Sequence, residues 1–106
     1  MNLYEKIYSI LKEHWDDDAL EFFWTRDETS SAEEVAGSLC KEVENESTKA
    51  MAAAGSLLWS YGNGADDPET AKQMILSAYL GSTGLEKKMY KKELDQIDEE
   101  IDKKRH

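Results

Sequence analysis

The sequence predicts an all-α protein, a compact bundle of five or six short-to-medium helices that forms a single domain over residues 1–106. The chain has one proline, few β-branched residues and many Ala, Leu, Glu and Lys residues, a composition that favours helices over strands. Apolar residues recur every three or four positions, which is the spacing of one helix face. A length of 106 residues with 40% hydrophobic content suits one domain and leaves little room for a second.

The first helix is predicted from apolar side chains that share one face at helical spacing. They are Leu3, Ile7, Ile10, Leu11 and His14. An acidic run, Asp16 to Asp18, follows and offers N-cap candidates for a short second helix over residues 20–24. Carboxylates are favoured there because the N-terminus of a helix exposes free N–H groups and the positive end of its dipole.

Two further apolar-periodic stretches occupy the middle of the chain. Ser31 and Glu34 match a capping box, in which each side chain accepts a hydrogen bond from the other's backbone. Polar residues 44–48 leave two alternatives, one long helix over residues 32–61 or a break near Asn45 to Thr48. We prefer the break, because Ser47 or Thr48 could cap a new helix and the mean helix is only about 11–12 residues long.

The last two predicted helices are bounded by turn residues. Asp67 and Pro68 combine a capping side chain with a proline suited to the first helical turn. Residues 81–84 interrupt the pattern before the final helix. That helix carries a coiled-coil-like seam with 4-3-4 spacing, formed by Tyr90, Leu94, Ile97 and Ile101. The seam either packs within the bundle or pairs with its copy in a homodimer.

The charge is strongly acidic and unevenly distributed. The formal net charge of the chain is −10. Residues 1–70 hold 5 basic and 16 acidic side chains, a net of −11, whereas residues 71–106 hold 8 basic and 7 acidic side chains, a net of +1. Direct binding to nucleic acid or to an anionic membrane is therefore not expected, because phosphates repel a surplus of carboxylates.

The single cysteine and the absence of targeting segments predict a cytoplasmic protein. Cys40 cannot form an intrachain disulfide, and its neighbours Ala36, Leu39 and Val43 suggest a small buried side chain rather than a reactive thiol. The first residues show no basic start followed by an apolar run. No apolar stretch approaches the roughly 18 residues that span a bilayer.

Enzyme activity, a cofactor and a metal site are not expected. The chain has two histidines, His14 and His106, so the usual general base is scarce. We expect His14 at the core or its boundary, as a hydrogen-bonded side chain rather than a ligand. Asp16 to Asp18 lack the alternating spacing of a calcium loop, so helix capping is the preferred role.

The candidate partner-binding residues are acidic side chains around an aromatic run. They are Asp16, Asp17, Asp18, Glu21, Trp24, Asp27 and Glu28. Residues 22–24 are all aromatic and point in three successive helical directions, so at least one is expected in an interface, with Trp24 as the candidate anchor. Negative potential speeds encounter with a positive partner, and aromatic side chains supply affinity after docking. The alternative, that these acids are only helix caps and a solvated face, stays open.

These properties predict a binding protein that inhibits a basic partner. In size, charge and lack of catalytic residues the chain resembles immunity proteins for nuclease toxins and phage-encoded anti-defence proteins, although no motif identifies a family. The resemblance implies a nuclease, toxin or defence protein as the partner. The alternative is a structural or adaptor protein that homodimerises through its C-terminal helix.

Overall fold

The computed structural model describes residues 2–17, 31–61 and 68–105. In these ranges the chain forms α1 (Leu3–Glu13), α2 (Ala32–Glu44), α3 (Thr48–Ser60), α4 (Pro68–Leu80) and α5 (Gly84–Arg105). The same ranges contain no strand. The predicted all-α class is therefore confirmed for this part of the chain, with five helices. The predicted short helix over residues 20–24 lies outside the described residues.

The first three helices begin where a polar side chain satisfies a free backbone N–H group. Asn2 Oδ1 accepts a hydrogen bond from the Glu5 N–H at 2.8 Å. Ser31 and Ser47 accept through Oγ from the N–H groups three residues ahead, at 3.2 and 3.3 Å. The serine of the predicted capping box at Ser31 thus caps α2 as expected.

The break between α2 and α3 is also confirmed. Asn45, Glu46 and Ser47 separate the two helices, and Glu46 adopts a positive φ of 61°. That left-handed backbone ends α2, and Ser47 then caps α3. Because so short a connection joins two helices that pack together, α2 and α3 run antiparallel.

α3 is the central helix, and it packs against α1, α2 and α4. Small residues on α3 allow its close approach to α4. A Cβ atom added at Gly55 would lie 2.7 Å from Ile75 Cγ1 and 3.0 Å from the Ala71 carbonyl oxygen. The main core lies between α1, α2 and α3 and includes the buried Ile7, Leu39 and Leu57.

α5 packs against α4 and buries the predicted seam inside the chain. Leu94 and Ile97 form a second cluster with Ile75, and Tyr90 and Ile101 pack against it. Trp59 of α3 contacts both this cluster and the main core. An ion pair between Lys72 and Asp98, at 2.5 Å, also links α4 to α5. Among the described helices, none is long and apolar enough to cross a membrane.

Candidate functional site

The C-terminal ends of α1 and α3 are joined by one aromatic contact and one hydrogen bond. The rings of His14 and Tyr61 lie 4.9 Å apart between centroids, with a tilt of 51°. Tyr61 donates its hydroxyl to Asp17 Oδ2 at 3.0 Å. His14 caps α1 and its side chain is 34% exposed, so it lies at the boundary of the core. These contacts fix the residues that follow α1 against the end of α3.

The same contacts determine where α2 begins. α1 and α3 pack together and their C-terminal ends are adjacent, so the two helices run in the same direction. α2 runs antiparallel to α3. The first turn of α2 therefore lies at the end of the molecule where α1 and α3 finish. Five exposed carboxylates belong to the segments that meet there, namely the end of α1, the residues just after it and the first turn of α2. We call this group the acidic end: Glu13, Asp16, Asp17, Glu33 and Glu34.

Two of the seven predicted partner-binding residues belong to the acidic end. Asp16 and Asp17 are both exposed, and Asp17 accepts the hydrogen bond from Tyr61. The other five predicted residues, Asp18, Glu21, Trp24, Asp27 and Glu28, lie outside the described residues. The described residues that flank them are Asp17, a member of the acidic end, and Ser31, the N-cap of α2.

Tyr61 was not among the residues predicted from the sequence for this surface. Its hydrogen bond joins residues 44 positions apart, and no local pattern reveals such a contact. The pKa of Tyr61 is raised, first by burial and then by the hydrogen bond to Asp17 and the negative charge of that carboxylate. The phenol therefore stays protonated at neutral pH and continues to donate to Asp17.

Cys40 lies in surroundings that disfavour its thiolate form. Burial raises the pKa of its thiol, and the negative charge of Glu44 raises it further. Because the thiolate is the reactive form, a raised pKa makes this cysteine less reactive near neutral pH. Cys40 is half-buried and packs at the edge of the main core, rather than fully buried as the sequence predicts.

A shallow groove between α2, α3 and α4 has a volume of about 350 Å³. Val43, Met51 and Met74 contribute apolar walls, and Glu69 is the titratable side chain that lines it. One carboxylate on an open apolar groove does not make a nucleophile and base pair. Within the described ranges, no group of three or more His, Cys, Asp or Glu residues could hold a metal ion.

The chain was compared with protein-family models, with curated proteins and with solved structures. None of the three comparisons finds a match.

Proposed function

We propose that this chain is a small acidic binding protein that docks its acidic end on a basic surface of another protein and blocks that surface. The observation that carries the proposal is the placement of exposed carboxylates from the end of α1, the residues just after it and the start of α2 at one end of the bundle. Residues 18–30, which hold the other predicted contact residues, lie between these two helices in the sequence. The functional surface is thus proposed to comprise the acidic end and this connecting segment.

The electrostatics of this surface support recognition of a basic partner. Five carboxylates at one end produce a directed negative potential, which raises the rate of encounter with a positive surface and falls with ionic strength. Lys12 is the cation in the last turn of α1, and its Nζ atom lies 5.9 Å from the centroid of the Tyr8 ring. Carboxylates therefore outnumber cations at these helix ends.

The contacts at the acidic end indicate that part of this surface is ordered before a partner binds. The ring contact of His14 with Tyr61, and the hydrogen bond from Tyr61 to Asp17, hold the residues after α1 in one arrangement. A surface that is already ordered loses less entropy on binding than one that must fold. Inhibition follows when docking covers a basic site that the partner uses, such as the substrate cleft of a nuclease.

A capture experiment with charge-matched variants tests the proposal. The tagged protein is incubated with cell extract at low and high salt, and retained proteins are identified by mass spectrometry. The test variant carries D16N, D17N and D18N. The control variant carries E99Q, E100Q and D102N, which remove three exposed charges within four positions of α5.

The proposal predicts a basic protein that the native chain and the control variant retain at low salt. The test variant should lose most of it, and high salt should release it from all three. Equal retention by the test and control variants, whether full or reduced, would contradict the assignment of the surface.

No specific observation favours homodimerisation through the C-terminal seam. Leu94 and Ile97 are 5% and 0% exposed, because the seam packs against α3 and α4 of the same chain. A dimer through these residues would require α5 to leave α4. Light scattering over a concentration series would detect such a dimer directly.

A further inference from the structure

The first half of α5 presents an exposed surface that the acidic end does not explain. Leu85 and Met89 are 78% and 65% exposed, an unusual degree for large apolar side chains. Lys88 and Lys92 are exposed as well. These four residues follow the spacing i, i+3, i+4 and i+7, so they form one stripe along the helix, which we call the α5 stripe.

Leu80 extends the apolar surface at the same end of the α4–α5 hairpin. It is the last residue of α4, it is 69% exposed, and only Gly81, Ser82 and Thr83 separate it from α5. Leu80, Leu85 and Met89 are three of the four large hydrophobic side chains exposed in the described part of the chain. Clustering of such side chains within ten positions is typical of an interaction surface.

The lysines of the α5 stripe are available to a partner. Residues 84–92 contain four lysines and one glutamate. Lys87 lies over the Tyr79 ring, 5.0 Å from its centroid, and Lys91 pairs with Asp95 at 2.7 Å. Within the described residues, Lys88 and Lys92 make no ion pair. Two unpaired positive charges therefore alternate with two exposed apolar side chains along the stripe.

We propose that the α5 stripe is a second docking surface, and that its occupant is an acidic segment of another protein with apolar anchors. The charge pattern argues for this occupant, because carboxylates one helical turn apart would meet Lys88 and Lys92. Apolar side chains that alternate with these carboxylates would cover Leu85 and Met89. An amphipathic helix laid along α5 meets both conditions.

Two other occupants fit the charges less well. An anionic bilayer is an extended plane that would meet much of a molecule with a net charge of −10. A short segment would contact only the stripe. Its interaction with the acidic charges elsewhere on the molecule would be weak, because charges beyond about 8 Å are screened at physiological salt. A second copy paired stripe to stripe would gather four lysines at one contact, where like charges repel.

Nuclear magnetic resonance with isotope-labelled protein tests this surface. The probe is a short synthetic peptide that repeats Glu-Glu-Leu-Leu, and its counterpart carries Gln in place of Glu. One variant carries K88Q and K92Q, and its control carries K41Q and K49Q, which remove two exposed charges from α2 and α3. A third variant, L85Q with M89Q, removes the apolar anchors without touching the core.

The acidic peptide should shift the amide signals of residues 80–92 in a saturable manner. Binding should weaken about tenfold in the K88Q and K92Q variant, as expected for two surface ion pairs, and stay unchanged in the control. The Gln peptide and the L85Q and M89Q variant should also bind more weakly.

Three results would overturn the proposal. The first is no saturable binding of the acidic peptide, or shifts outside residues 80–92. The second is preferential binding to phosphatidylglycerol vesicles, which would assign the stripe to a membrane. The third is a shift of the same signals with protein concentration alone, which would assign it to self-association.

Discussion

Replacing Gly55 with alanine tests the close packing of α3 against α4. The new Cβ atom would lie 2.7 Å from Ile75 Cγ1 and 3.0 Å from the carbonyl oxygen of Ala71. Ile75 is fully buried, and the second contact is with backbone, so neither neighbour can retreat without moving α4. Overpacking of this kind costs about 1–3 kcal/mol of the free energy of unfolding.

Gly37 provides the matched control, because it lies inside α2 and a Cβ atom added there meets nothing within 4 Å. Both substitutions gain about 1 kcal/mol from the helix propensity of alanine over glycine. Gly37→Ala should therefore stabilise the protein. In Gly55→Ala the cost of overpacking should equal or exceed the gain in helix propensity, so this variant should be no more stable than the native chain. The two variants should differ by about 1–3 kcal/mol.

Urea unfolding followed by circular dichroism measures this difference from the midpoint of each transition. A thermal melt should give the same order, since 1 kcal/mol corresponds to about 4–8 °C for a domain near this size. A Gly55→Ala variant at least as stable as Gly37→Ala would refute the close approach of α3 and α4.

Substitutions at four other described positions test a helix cap, the packing of α5 and the surroundings of the cysteine. Ser47→Ala should lower the free energy of unfolding by about 0.5–2 kcal/mol in urea titrations, because it removes the N-cap of α3; no loss would mean that this cap is not formed. Ile97→Ala should cost about 2–5 kcal/mol, because Ile97 is fully buried between helices. Leu85→Ala should change stability by no more than about 0.5 kcal/mol, and equal losses for these two variants would contradict the packing of α5. Because the folded-state pKa of Cys40 is raised above 9.0, the unfolded chain loses this proton first. The free energy of unfolding should therefore fall as pH rises through the alkaline range. Urea titrations at pH values on either side of 9.0 should show a smaller fall in Cys40→Ala. A pH dependence that is the same in the variant would contradict the burial of this thiol.

The local features of the fold were predictable from the sequence. The break between α2 and α3 follows from Ser47, whose capping bond closes within three residues. The start of α4 at Pro68 follows from the constraints of proline on its own backbone. In each case neighbours in sequence are also the interacting partners.

Contacts between distant residues could not be predicted in this way. Periodicity shows that Leu94 and Ile97 lie on a covered face, but it does not say whether α4 or another chain covers them. It also groups Leu85 and Met89 with the apolar residues of the last helix, although both are exposed. The bond from Tyr61 to Asp17, which fixes the acidic end, depends on how α1 and α3 pack.

The association rate with the captured basic partner tests the central claim most directly. It is measured by stopped flow at low and high salt for the native chain, for the D16N, D17N and D18N variant, and for the E99Q, E100Q and D102N control. Loss of electrostatic steering should slow association of the first variant by at least about tenfold at low salt, with little change in the control. Equal association rates for the two variants would contradict the claim that the acidic end meets the partner.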